Sequence, residues 1–284
     1  MDLLSLSPCL LVWYGCRNIA RYTLNLNQFT AALLDMDGVL YRGKTRLPGV
    51  HELLALFERK GIAYACVTNN ATMTPEQYEA KLAEMGVRIP AAQVVTSSVA
   101  TRRYLEEQAP RGTPIYYIGM DGLRKALFDD EYFTLDETRP EYVVVGADFE
   151  LTYAKARRAC LAIRAGARFI GTNPDTTFPT EEGIIPGAGA LLAMLRVASE
   201  TEPFVIGKPG PTMFHTAIAL LGADPARTLT IGDRLDTDIA GAHAAGLASA
   251  LVLTGVTDEG ALERSPIKPD VVYPGLMEVV EAWS

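Results

Sequence analysis

The 284-residue chain reads as an α/β protein, a doubly wound parallel sheet with a second α/β unit inserted into it. Three observations predict this. Short apolar runs of strand length alternate with stretches of helical period, the rhythm of a right-handed parallel sheet. Several runs end abruptly in a polar cluster, as strands do when their C-terminal ends line a crevice. From about residue 99 to 203 the pattern starts afresh, and the first rhythm resumes near Pro203.

The elements follow in order. Ala31-Ala32-Leu33-Leu34 is a buried strand, followed by a loop and a helix near 49–60 whose Val50, Leu53, Leu54 and Phe57 recur at helical spacing. Gly61 ends it, and a strand at 62–67 follows. In Thr74-Pro75-Glu76-Gln77, Thr74 suits an N-cap, Pro75 the first helical position and Gln77 the return bond of a capping box. That helix runs to about Met85, with Gly86 as its stop. In the middle unit, 114–118 and 142–145 read as strands, 151–165 as a helix and Phe169-Ile170 as a strand. Thr172-Asn173-Pro174-Asp175 is a turn cluster. Gly187-Ala188-Gly189 opens a helix at 190–199; it lacks the Lys-Ser/Thr of a phosphate-binding Walker loop. Further strands are expected at 228–231, 250–253 and 270–273. The expected organisation is an N-terminal appendage at 1–28, a core unit formed by 29–98 together with 204–284, and the inserted unit at 99–203.

Composition excludes some functions. Half the residues are apolar (49%), enough for a substantial core, and the net charge is −8. A sequence-independent nucleic-acid binder needs a basic surface, so no nucleic-acid partner is expected. Leu10-Leu11-Val12-Trp13-Tyr14 is far shorter than a membrane span, and Asp2 stands where a secretory signal would be basic. No membrane partner follows, and residues 1–28 are expected to be a poorly ordered appendage. Cys9, Cys16, Cys66 and Cys160 show no metal spacing and no disulfide framework, which favours the cytoplasm.

The polar clusters carry the chemistry. Asp35-Met36-Asp37-Gly38 follows the first strand. Two carboxylates two residues apart point the same way in a strand, and a turn at Gly38 brings both to one small site. Paired acids there repel unless a cation or proton shares the site, which suits Mg²⁺ binding and a carboxylate nucleophile. Alone, Asp-x-Asp-Gly is equally well explained as a solvated turn. Three later stations change that: Thr68-Asn69-Asn70 after 64–67, Lys208 after Phe204-Val205-Ile206-Gly207, and Gly232-Asp233-Arg234-Leu235-Asp236-Thr237-Asp238 after 228–231. Each stands at the end of a β-type run, so all are expected to meet in one crevice.

In this order the four clusters resemble the motifs of the haloacid dehalogenase (HAD) superfamily. The match is Asp35 through Tyr41, Thr68-Asn69-Asn70, Gly207-Lys208-Pro209, and Gly232 through Asp238. It is to the branch with a large α/β cap between the second and third motifs (subclass IIA), which includes nitrophenylphosphatases, phosphoglycolate phosphatases, pyridoxal phosphatases and nucleotide phosphatases. The resemblance covers about residue 30 to the C-terminus. It implies a HAD-like core with 99–203 as the cap. The implied activity is Mg²⁺-dependent hydrolysis of small-molecule phosphomonoesters through an aspartyl-phosphate. In those terms Asp35 is the nucleophile, Asp37 the general acid and base, and Lys208 the cation that offsets charge on nucleophile and phosphoryl group. Thr68 and the Asn69 backbone amide hold phosphoryl oxygens. Mg²⁺ is held by a carboxylate oxygen of Asp35, the backbone carbonyl of Asp37 and a carboxylate oxygen of Asp233, with Asp238 supporting the metal waters or the lysine. Specificity falls to the cap loops, assigned here to Asn173 and Asp175. The resemblance also implies a homodimer through the cap.

Two other readings share the fold: a sugar-phosphate phosphomutase, and a non-catalytic phospho-ligand-binding protein. The joint presence of Asp35, Asp37, Thr68, Lys208 and Asp233 argues against the second. Other residues read as background. Asp236, Glu181 and Glu182 are expected to be solvated loop acids, Arg234 a surface residue, and His215 and His243 packing or solvent positions. Met213, Phe214, Ile218 and Leu221 form a core stripe.

Overall fold

The computed structural model describes residues 24–180 and 182–284. Its core is a six-stranded, all-parallel sheet. In space the strands run Val271–Tyr273, Ala248–Val252, Thr228–Gly232, Ala31–Leu34, Ala63–Thr68 and Val94–Thr96. The chain winds outward from Ala31–Leu34 in one direction, then returns to its other side and winds outward again. The reversal lies between Ala31–Leu34 and Thr228–Gly232, where a doubly wound sheet opens its ligand crevice.

Burial on both faces explains the unbroken apolar runs of the central strands. Ala32 and Leu34 enter a cluster with Phe57, Trp283 and the helices Val50–Lys60 and Leu276–Trp283. Leu33 faces the opposite cluster, with Val67, Val95, Ile206, Met213 and Phe214. Trp283 closes the first cluster edge-on against Phe57, with ring centroids 5.3 Å apart. The Met213, Phe214 and Ile218 stripe is buried as the sequence requires, and Leu221 packs at its margin. Helix Pro75–Glu84 begins with the full capping box: Thr74 Oγ1 accepts from Gln77 N–H, and Gln77 Oε1 from Thr74 N–H.

The inserted cap carries a second sheet, ordered Phe204–Val205, Arg168–Gly171, Tyr142–Val145, Pro114–Ile118 and Thr134–Leu135. Its strands are parallel. Helices Tyr153–Arg164 and Ala188–Ser199 cover one face. Its other face joins the cluster that holds Leu33, Val67 and Met213. A hairpin, Thr177–Thr180 with Gly183–Pro186, leads into the second of those helices.

Three differences from the sequence reading matter. Phe204 and Val205, read as the resumption of the core, pair with Ile170 and Gly171 of the cap sheet. Two residues carry too little pattern to say which sheet they join. The edge strand Val94–Thr96 and the helix Ser97–Gln108 behind it lie across the expected boundary near 98, because the strand is too short to show a period. The appendage reading for 1–28 fails at its end: Leu26 is 1% exposed and packs in the core cluster beside Phe29, with Leu24 against it. Residues 1–23, with Cys9 and Cys16, lie outside the described residues.

Candidate active site

The first core strand ends at Leu34, and Asp35 N–H continues its ladder by donating to Ile231 O at 2.9 Å. The chain then turns at once. Leu40 N–H donates to Met36 O at 2.8 Å and Gly38 N–H to Tyr41 O at 2.7 Å, leading into the hairpin of Tyr41–Arg42 with Thr45–Arg46. Gly38 has φ +91°, and a Cβ there would stand 2.6 Å from Asp233 Oδ2. Glycine therefore lets the first loop approach the acid after the third central strand.

At the floor of the crevice lies Lys208, 3% exposed. Its ammonium donates to Asp35 Oδ1, to Asp238 Oδ1 at 2.7 Å and to Val67 O at 3.1 Å. Asp238 Oδ2 accepts from the backbone N–H of Asp233 (3.2 Å) and Arg234 (3.0 Å). Both Asp238 oxygens are thus occupied, and the acid serves to fix the lysine and the loop. Asp233 Oδ2 accepts from Val256 N–H at 2.6 Å, while its Oδ1 is buried with no hydrogen-bond partner. Carboxylate oxygens of Asp35, Asp233 and Asp238 lie within 4.8 Å of one another.

Two buried carboxylates and the partly exposed Asp35 around one ammonium leave surplus negative charge, which shifts their acidities. Burial raises Asp35 well above the carboxylate range; Lys208 pulls it back, and Asp238 and Asp233 push it further up. Burial, and then Asp238, push Asp233 up to about 6. Burial opposes the charge of Lys208, but Asp238 and Asp35 hold its pKa above the usual lysine value. An orphaned buried oxygen beside a second carboxylate is a fit for a hard cation, which takes oxygen ligands and offsets this charge.

The expected residues fall into place unevenly. Asp37 is on the exposed rim, outside the buried triad; burial of its carboxyl raises its pKa, partly offset by Lys81 and then Arg42. Lys81, half-buried on the capped helix with its ammonium over the Tyr41 ring, had no signal in the sequence beyond its charge. Thr68 and Asn69 end the strand beside Asp35, and Thr68 Oγ1 accepts from Asn70 N–H at 3.3 Å. Lys208 arrives from an unexpected direction, off the edge strand of the cap sheet, and the chain leaves it through a cis Lys208–Pro209 bond.

Asn173 corrects the sequence reading. Expected to contribute specificity from a cap loop, it is 4% exposed. Its amide donates to Asn69 O at 2.7 Å and Thr172 Oγ1 at 3.2 Å, so it braces the core loop and has little surface to offer a leaving group. Asp175 is half-buried at 3.3 Å from Asn69 Nδ2; burial raises its pKa, against Asn69, Arg234 and Lys208. Arg234 is no free surface residue: its guanidinium grips Asp236 through both carboxylate oxygens, at 3.1 and 2.8 Å, while Asp236 stays exposed as expected. Glu182, His215 and His243 are exposed, and Glu181 lies outside the described residues. Val256, whose N–H fixes Asp233, gave one sequence signal: Gly255 beside it, just past a core strand.

A carboxylate held by a buried lysine beside a cluster of acids, under an α/β cap, is an arrangement suited to a hydrolase of phosphate esters. Family comparison carries this further. Residues 32–132 match the model of haloacid dehalogenase-like hydrolases and residues 205–279 a HAD-hydrolase-like model, and the chain belongs to this family. It is 36% identical over 255 residues to an acid sugar phosphatase of Staphylococcus aureus, covering 90% of this chain and 98% of that protein. It is 35% identical to the solved 4-nitrophenylphosphatase of Thermotoga maritima, with a TM-score of 0.87 over 92% of this chain and all of that one (100%). NagD of E. coli K-12 is 32% identical, with a TM-score of 0.83 over 88% of this chain and 98% of that one.

Proposed function

We propose that this chain hydrolyses small-molecule phosphate monoesters with Asp35 as nucleophile and Mg²⁺ as cofactor. The observation that carries the reading is Asp233 Oδ1, buried and unpartnered beside Asp35, which Lys208 holds. Asp35, Asp233 and the Asp37 carbonyl would hold the cation, which when bound supplies charge neutralisation at the transferring phosphoryl group.

Asp35 attacks phosphorus in line with the ester oxygen, forming an aspartyl-phosphate, and Asp37 gives the departing oxygen its proton. Its raised pKa keeps a share of that proton on Asp37 at higher pH than an ordinary carboxylate would. The same group, now ionised, takes a proton from the water that hydrolyses the intermediate. Thr68 and the Asn69 amide hold phosphoryl oxygens, and Lys208 offsets the charge that Asp35 shares with them. The cap, taken as about 99–205, covers the leaving group, and Asp175 at its inner loop is the specificity residue this reading keeps.

The names of the relatives make sugar phosphates and 4-nitrophenyl phosphate the first substrates to test. Apolar side chains exposed on the cap, Tyr153, Leu161, Ile184 and Val197, support a cap-mediated homodimer. The free thiols of Cys66 and Cys160 suit a reducing cytoplasm.

The test is phosphate release from 4-nitrophenyl phosphate and a panel of sugar phosphates, with Mg²⁺ and with EDTA, by wild type and Asp35→Asn. Mg²⁺-dependent release by wild type alone is expected, with Asp35→Asn lowering kcat at least about a thousandfold while the thermal midpoint is kept. Sugar isomerisation without release would favour the mutase reading. Full activity in EDTA, or in Asp35→Asn, would overturn the site as assigned.

A further inference from the structure

Lys208 must place its ammonium among core acids, yet its backbone belongs to a segment of the cap. Ile206 N–H donates to Gly171 O at 3.0 Å and Gly207 N–H to Thr172 O at 2.9 Å, both at the end of a cap strand. The side chain that meets Lys208's backbone from the core is Asn69. Its Oδ1 accepts from Lys208 N–H at 2.7 Å and its Nδ2 donates to Lys208 O at 3.0 Å. One carboxamide thus brackets both polar groups of the catalytic lysine's backbone, at a position 8% exposed.

The fit is tight. A Cβ on Gly207 would stand 2.7 Å from Asn69 Oδ1, so glycine is needed for this approach. Asparagine suits the task because one planar group carries acceptor and donor side by side; aspartate lacks the donor and serine the span. Asn69 is itself held. Its carbonyl accepts from Ser97 Oγ at 2.5 Å and from Asn173 Nδ2 at 2.7 Å, the second reaching across from the cap loop. Asn173 Oδ1 in turn accepts from Asp175 N–H at 3.1 Å.

We propose that the Asn69 carboxamide is the positioning group for Lys208, and that Asn173 couples the cap loop to it, so that the cap's placement sets the lysine's. This rests on the phosphatase reading above. It assigns the Asn69 side chain a task separate from that of its backbone amide, and it involves no contact with substrate.

The experiment is a double-mutant cycle on the full chain. The kcat and KM of Asn69→Ala are measured with 4-nitrophenyl phosphate and Mg²⁺, alone and combined with Lys208→Met, using stoichiometric enzyme where turnover is slow. Asn69→Asp, of nearly the same shape, keeps the acceptor for Lys208 N–H but loses the donor to Lys208 O and to Asp175 Oδ1; it is run in parallel and stands in if the alanine variant does not fold. In the wild-type background kcat is expected to fall about 10- to 100-fold, as misplacing a reacting group costs, with KM changed less. In the Lys208→Met background the same substitution is expected to cost less than about threefold, because residues that act through one another are not additive. Wild-type kcat in both Asn69 variants, or an equal loss in the two backgrounds, would overturn the proposal while leaving the phosphatase reading standing. Absence of wild-type turnover would instead overturn that reading, and this one with it.

Discussion

Single side chains divide the chemistry here by burial. Asp35 and Asp233 lie inward with Lys208, whereas Asp37 is on the rim, where the proposed acid–base role would put it. Asp37→Asn should lower kcat for alkyl phosphates by about 10²–10⁴-fold. Where phosphorylation limits the rate, the penalty should shrink for 4-nitrophenyl phosphate, whose leaving group needs little protonation; equal penalties for both esters would remove Asp37 from that role. Asp233 makes a second prediction. Its pKa, about 6 against an ordinary 3.8, means that the metal-free folded state binds a proton the unfolded chain has released. Stability contributed at this position is therefore greatest below about pH 4 and is lost as pH rises through 6, by about 3 kcal/mol in all. Metal-free wild type should lose stability relative to Asp233→Asn across that window in urea titrations. Saturating Mg²⁺ should stabilise wild type above pH 6 and leave Asp233→Asn nearly unmoved. A flat difference between the metal-free proteins would show that Lys208 alone neutralises the cluster.

Among the elements, the loop 172–175 has the most to test, because its neighbours determine what its residues do. Asn173 directs its amide at Asn69 O and Thr172 Oγ1, and Asp175 is the residue left half-open. Asn173→Ala should thus lower kcat/KM by one common factor, about tenfold, over a panel of phosphomonoesters. Asp175→Ala should re-rank the same panel. If Asn173→Ala changed the ranking and Asp175→Ala did not, the roles given to the two residues would have to be exchanged.

At the scale of the whole molecule, the two sheets are joined through packing and not by a linker alone. The apolar cluster holding Leu33, Val67 and Phe214 of the core extends to Ile115, Leu123, Val144 and Ile170 of the cap. The N-terminal end of the described chain is likewise stitched to the core: Leu26 packs in the cluster of Phe29, Phe57 and Trp283, and Arg227 Nε donates to Gln28 O at 3.2 Å. A chain beginning at Leu24 should keep these contacts, and one beginning at Phe29 should lose them. The second should be less stable than the first by about 2–5 kcal/mol, the range for removing a buried leucine, as read from denaturation midpoints. Equal midpoints would return residues 24–28 to the appendage.

The sequence by itself determined the α/β rhythm, the capping box at Thr74 and Gln77, and the polar stations that end the strands. These depend on local period, capping chemistry and the abrupt change from apolar run to polar loop, all readable over a few neighbouring residues. The motif order also gave the family and nominated Asp35, Asp37, Thr68, Lys208 and Asp233. Tertiary structure alone decided the rest. Phe204-Val205 could join either sheet, and only pairing with Ile170 and Gly171 attached Lys208 to the cap. The sequence offered Asn69 for its backbone amide and Asn173 for specificity; their carboxamides became braces because they meet partners 139 and 104 positions away along the chain. A hydrogen bond between distant positions leaves no periodic trace in a single chain. For the same reason the sequence could offer Asp233 as an acid, but not show that packing buries one of its oxygens without a partner.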